Sequence, residues 1–408
     1  MTGRLAVGIG LILFGSLFAG PIIVILGLAV VLFEGLRLLW ARRGLHALHY
    51  ERRLPVDRVV CGDAIPLEVV VWNHKRLPLS WVRVDDETSP GVGGRDRELV
   101  ARDDGRALLR NTWTLAPFER VIRHFNLIAD RRGVFTLGPA TVEVGDLFAG
   151  QAGAREDPGV ARYVVRPRSV PVRGVGPRHR WGGPDRARRG LIDNPAFYAG
   201  LREYRPGDPI RRIHPRASAR LGRPLTKRFD PAREREVLIA LDIQTLEGPS
   251  WQVSYLDDLV EELCVVAASM ARALRSERAA FGLAVAGYTG TARTVAFLGP
   301  SESPGQLERV LDLLARLSSF ASAPFQTLLG RLPRSLRPGT AIVVLTSRDP
   351  GPWLAVLRRI ERMGYPVTVV GYGPIAPQIA ARARAAGLAA RVAQLNGPWR
   401  TATGLVVA

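Results

Sequence analysis

EVLIALDIQTL, residues 236–246, sets five consecutive apolar side chains directly before an aspartate. A run that is apolar at every position, not at alternate ones, suits a strand buried on both faces of a sheet. Downstream, residues 255–274 carry Leu256, Leu259, Val260, Leu263, Val266, Ala267, Met270 and Leu274 at helical spacing. Further strands are predicted at 281–286, 341–345 and 366–370, and further helices at 304–317, 352–363 and 376–386. The alternation predicts right-handed βαβ units on a mostly parallel sheet over residues 236–408.

Ligands of such sheets bind at the carboxyl ends of the strands, where Asp242 stands. A divalent cation held there by one carboxylate and two hydroxyls asks for D-x-S-x-S, because hydroxyl oxygens complete the ligand set. Gln244 and Leu246 occupy the two hydroxyl positions instead. Thr327 is a remaining hydroxyl candidate from a second loop. Thr346 and Ser347 follow the strand 341–345, with Asp349 off position. Asp242 therefore reads first as a loop or capping residue, and no metal or other cofactor is expected. Neither lysine, Lys75 or Lys227, lies in a phosphate loop. H-E-x-x-H and G-x-S-x-G do not occur. Cys264 falls on the apolar side of the helix 255–274, and with Cys61 it reads as a small buried hydrophobe in a reducing compartment. No catalytic constellation emerges, so an enzyme is not expected.

Upstream, residues 45–172 change to period two. Residues 65–72 and 79–84 read as strands, followed by 108–115, 121–129, 134–137, 141–144 and 163–166, with turn signals at 103–105, 131–133 and 137–139. A small antiparallel sandwich is predicted. His46 and His49 stand three apart with no further ligand type beside them, and read as solvated surface.

The first 44 residues read as a membrane anchor. No charge occurs from 5 to 33, and Gly20-Pro21 divides the run. Pro suits a first helical turn and Gly the turn before it, which predicts a helical hairpin. Arg4 precedes the run, and Arg37, Arg42 and Arg43 end it. Cations stay cytoplasmic, so two spans satisfy both flanks whereas one span strands Arg4 outside. One long tilted span is the alternative. A cleaved signal is disfavoured, because no small-x-small site stands clear of the next apolar run. Integral placement in the cell membrane follows, with the remaining domains cytoplasmic.

Residues 173–235 form a basic connector. Between 166 and 235 stand 19 basic and 6 acidic residues, most of the chain's net charge of +20. Such a surplus points to an acidic partner or an anionic surface. Nucleic-acid or anionic-lipid binding through 166–235 is therefore the alternative function. Few aromatics stand there to stack bases and no helical reader is recognised, so nucleic acid is not the expected partner. Within the segment, Pro206, Gly207 and Asp208 make a turn. Arg202, Arg211, Arg216 and Arg220 are candidates to pair with Glu203 and Asp208. Glu203, Asp208 and His214 also have the types for acid–base work, but the arginines would hold both carboxylates ionised.

The pattern F-x-x-x-L-R-E-Y-x-x-G-D-x-x-R-x-I with a following S-A-R comprises Phe197, Leu201, Arg202, Glu203, Tyr204, Gly207, Asp208, Arg211, Ile213, Ser218, Ala219 and Arg220. It resembles the hallmark of the domain of unknown function number 58. Residues 132–139 and 145–148 are similar to that family's β-rich part. Pro215 departs from the family's usual Trp, and 242–246 from its D-x-S-x-S. The resemblance implies two membrane segments, a β-rich domain and a C-terminal von Willebrand factor A-like α/β domain. It also implies partnership with a MoxR-type AAA+ ATPase and related membrane proteins in envelope or stress physiology. It carries over no catalytic residue.

Overall fold

A computed structural model describes residues 2–89, 92–94, 99–101, 107–146, 148, 150–174, 198–205, 208, 210, 213–229, 236–245, 256–290 and 295–408. Phe197, Gly207, Arg211 and Leu246 lie outside the described residues. Two compact units make up the chain, Met1–Arg166 and Pro167–Ala408.

In the first unit, helix α1 (Thr2–Phe14) continues into a π turn (Gly15–Ala19) and stops at Gly20, whose φ of 81° reverses the chain. Pro21 then opens α2 (Pro21–Arg43). The two helices pack along small residues. A Cβ on Gly27 would fall 2.8 Å from the Gly8 carbonyl and from Ile12 N, and one on Gly15 would fall 2.8 Å from Val24 N. Such close approach is how helices associate where no hydrophobic drive acts between them. α2 is long and apolar enough to cross a membrane. Its one acid, Glu34, is buried and pairs with Arg37 at 3.2 Å, where the apolar run ends.

The strands that follow are β1 (Leu48–Arg53), β2 (Arg58–Val60), β3 (Ala64–Asn73), β4 (Leu79–Thr88), β5 (Val92–Gly94), β6 (Leu99–Ala101), β7 (Ala107–Leu115), β8 (Arg120–Ala129), β9 (Gly133–Gly145), β10 (Gln151–Asp157) and β11 (Ala161–Arg166). They form two sheets, ordered β1-β3-β8-β5 and β2-β11-β9-β4-β7-β6, with β10 on β9. β3 and β4 alternate buried and half-buried positions, which is the period-two signal. Among the described strands the pairs are antiparallel except β2 with β11, which run parallel. The turn after β9 is built on buried Asp146, whose Oδ1 accepts from Phe148 N (2.9 Å) and Gly150 N (2.8 Å). Cys61 is buried here, and Cys264 in the second unit.

The second unit holds β12 (Val172–Arg173), β13 (Tyr198–Glu203), α3 (Pro215–Leu221), β14 (Leu225–Phe229), β15 (Glu236–Leu241), α4 (Asp257–Ser276), β16 (Ala280–Val285), β17 (Ala296–Ser301), α5 (Gln306–Arg316), α6 (Phe325–Ser335), β18 (Ala341–Thr346), α7 (Leu354–Arg362), β19 (Val367–Gly371), α8 (Ala376–Ala385), β20 (Ala389–Leu395) and β21 (Leu405–Val407). The large sheet runs β12-β21-β20-β19-β18-β15-β16-β17. Its centre, β16-β15-β18-β19-β20, is parallel, with β17 and β21 antiparallel to their neighbours β16 and β20. α6, α7 and α8 cover one face, where Leu329, Leu357 and Ile379 pack with Leu238, Val344 and Val369. α4 lies against β15, β16 and β18, with α5 alongside. Val237 through Leu241 are all buried, as their unbroken apolar run requires.

Candidate functional site

Two places in the second unit hold the residues singled out by sequence, and they are built differently.

At the hallmark, β13 and β14 form their own two-stranded antiparallel sheet, with α3 in the connection between them. Pro215 at the first helical position and His214 before it start α3, and His214 Nδ1 accepts from Ala217 N (3.2 Å). Gly222, at φ 65°, ends it. Ser218 then ties the helix to the strand: its Oγ accepts from Leu225 N at 2.9 Å. The main chain adds His214 N to Leu225 O (2.8 Å) and Tyr204 N to Pro224 O (3.0 Å). Ile213 bridges Thr226.

The turn after β13 is closed by charge. Arg202 Nη2 donates to Asp208 Oδ1 at 2.6 Å, and Arg205 N donates to Oδ2 at 3.0 Å. The Arg202 guanidinium, then the Arg205 N–H, holds the Asp208 carboxyl below the usual carboxylate range. Glu203 pairs with Arg223, a residue the sequence reading did not name, and both are exposed. Arg216 and Arg220 make no ion pair with either acid and stand exposed. Among the described residues, these contacts hold β13, α3 and β14 together. Ser218→Ala is expected to cost about 1 kcal/mol, the worth of one buried-side hydrogen bond. It should show as faster amide exchange over 213–229 with little change in the rest of the chain.

At the carboxyl edge of the large sheet, Asp242 follows β15 and is 2% exposed. Its Oδ2 accepts from Arg348 Nε at 2.7 Å and from Thr346 Oγ1 at 3.1 Å. Oδ1 accepts from Gln244 N at 3.3 Å and from Arg348 Nη2 at 3.4 Å. Burial pushes the carboxyl upward, and Arg348 opposes it most strongly, with Thr346 and the Gln244 N–H behind. Gln244 therefore contributes its main chain where a side-chain hydroxyl was sought. Thr327 sits exposed in the first turn of α6, and Asp242 makes no bond to it. Asp349 is turned away to Arg382 of α8 and to Gly351 N (3.1 Å). Sequence reasoning missed Arg348. The available signal was a cation immediately beyond the strand end 341–346, beside the very hydroxyls under discussion. With Arg348 in place, the donor set does not suit a divalent cation. Oxygen ligands must approach within about 2.0–2.6 Å, and Arg348 already takes that side of the carboxylate.

Residues 200–348 match the family described as protein of unknown function DUF58. Over 265 residues the chain is 23% identical to the uncharacterized protein YeaD of Bacillus subtilis (strain 168). That alignment covers 64% of this chain and 60% of the relative, less than two thirds of the latter's length. Among solved structures, the CARDB domain of a Pyrococcus furiosus protein is 19% identical with a TM-score of 0.20, covering 29% of this chain and 84% of that one. A cohesin module from Clostridium perfringens is 12% identical with a TM-score of 0.19, covering 29% and 95%. Likenesses at these scores carry no argument about either unit.

Proposed function

The chain belongs to the family of proteins of unknown function DUF58, and from that premise we propose that it is a membrane-anchored interaction protein, an adapter for an AAA+ ATPase of the MoxR type. The observation that carries the reading is the surface of the hallmark. α3 buries none of its residues, and Ile210 and Leu221 are 79% and 58% exposed in the same small unit as exposed Arg205, Arg216 and Arg220. Large apolar side chains in the same segment as exposed cations suit a partner surface that is apolar with an acidic rim. The α/β sheet of Pro167–Ala408 is read as von Willebrand factor A-like, a recognition domain. α1 and α2 are read as two spans that keep Arg4, Arg42 and Arg43 on the cytoplasmic side, together with both units.

Crosslinking the full chain in its own membranes and identifying what it captures tests this. An AAA+ ATPase should be recovered, and Ile210→Asp with Leu221→Asp should reduce its yield. Capture that contains no such ATPase sinks the reading.

A further inference from the structure

At the Asp242 site a buried carboxylate and the Thr346 hydroxyl meet at the carboxyl end of a parallel sheet. Sheet ends of this kind are where ligands dock. A carboxylate so deeply buried needs a cation or several donors to stay in the fold. Here the cation is covalent. Arg348 puts Nε 2.7 Å from Oδ2 and Nη2 3.4 Å from Oδ1, with its own side chain 13% exposed. Thr346 spends its hydroxyl on the same Oδ2, while the buried Ser347 hydroxyl has no hydrogen-bond partner. Asp349, the neighbouring acid, is engaged by Arg382.

We propose that the Arg348 guanidinium permanently holds the place of a divalent cation at this edge, so that the edge functions without metal and a cation site built on Asp242 and Thr346 lies latent beneath it. Two physical features support the assignment. The guanidinium and a divalent ion would compete for the same oxygen, and their like charges would repel at short range. An arginine held this way is always charged, so occupancy does not vary with the supply of metal. The inference deepens the interaction reading, since contacts at this edge would then be independent of divalent ions. Its test involves no partner, so either can fail alone.

The untagged full chain is reconstituted in phosphatidylcholine nanodiscs and titrated with Mn2+. Free Mn2+ is followed by electron paramagnetic resonance, and melting is followed with and without EDTA. The wild-type chain should retain no stoichiometric Mn2+, and its melting should not respond to Mn2+ or EDTA. Arg348→Asp should bind one Mn2+ per chain, and its melting should rise with Mn2+ and fall again with EDTA. Retention of one Mn2+ by the wild type, lost in Asp242→Asn, overturns the proposal even if the Arg348 variant does not fold. A folded Arg348→Asp chain that takes up no Mn2+ overturns the latent site.

Discussion

Asp242→Asn is expected to lower the stability of Pro167–Ala408 by about 3–5 kcal/mol, the range for removing one partner of a buried ion pair. The isosteric amide still reaches Thr346 Oγ1 and Gln244 N. What it cannot do is neutralise Arg348, which is left as a charge with 13% of its side chain exposed. Replacing both residues, Asp242→Asn with Arg348→Met, should recover most of that loss. An apolar substitute for a buried pair is often close to neutral, and contacting residues couple by as much as about 3 kcal/mol. The measurement is a double-mutant cycle on the full chain, by urea unfolding with amide exchange resolved over β15 and β18. Additive single effects would mean that the two side chains do not act as a pair. The cycle isolates the ion pair from the packing around it, because Leu241 and Leu345 on either strand are untouched.

Asp86→Ala should be as damaging in Met1–Arg166. Asp86 lies on the buried side of β4 and is fully buried. From the other sheet, β1 reaches across to it. Tyr50 Oη donates to Oδ2, Arg52 Nη1 donates to Oδ1 at 2.6 Å, and Arg52 also donates to the Gly159 carbonyl. Truncating the acid strands an arginine whose side chain is 6% exposed and a tyrosine hydroxyl, a loss of about 3–5 kcal/mol. Asp86→Asn keeps an acceptor for Arg52 and should cost less, but it removes a titration. Burial pushes the Asp86 carboxyl up to about 6, against the pull of Arg52 and Tyr50. Burial pushes the Tyr50 hydroxyl upward too, and the Asp86 charge adds to it.

The sign of the pH dependence follows. A raised folded-state value means that the folded chain holds the proton where the unfolded chain has released it, between the ordinary 3.8 and about 6. The contribution to stability is fully present below that window and is lost as pH rises through about 6. In wild type, protection of β1, β3 and β4 against amide exchange should therefore weaken from pH 4 to pH 6, after correction for the intrinsic exchange rate. In Asp86→Asn that decline should flatten. A wild-type profile that strengthens over this window would contradict a protonated, buried Asp86.

Legibility in the sequence followed locality. β15 and β18 were plain because each carries an unbroken run of five apolar residues in a sheet covered on both faces, β19 because only Thr368 interrupts its valines, and α4 because its apolar residues recur with helical period over five turns. β17 was not: it is an antiparallel neighbour of β16, largely half-exposed, and contains Pro300. Pro333 inside α6 breaks the periodic pattern on which a helix is recognised. β20 reads AARVAQL after the Ala- and Arg-rich α8, so its composition looks like more helix. Gly387 at φ 81° ends the helix and releases the strand. In the hallmark, the pairing of Arg202 with Asp208 was within reach, six residues apart across a turn. Glu203 with Arg223 was not, because their meeting depends on β13 and β14 lying side by side.

By itself the sequence determined the apolar hairpin with its Gly20-Pro21 reversal, the change from period two to alternating strands and helices, the hallmark, and an aspartate at a sheet end. Each of these is written in neighbours a few residues apart, where hydrophobic spacing and turn chemistry act directly. Only the tertiary structure decided what the buried charges do. Tyr50 and Arg52 meet Asp86 across two sheets, and Arg348 meets Asp242 from 106 residues away. No local pattern encodes such a pair, because burial makes a charge find its counterion in space, and the strand order, not the spacing along the chain, sets which one is near.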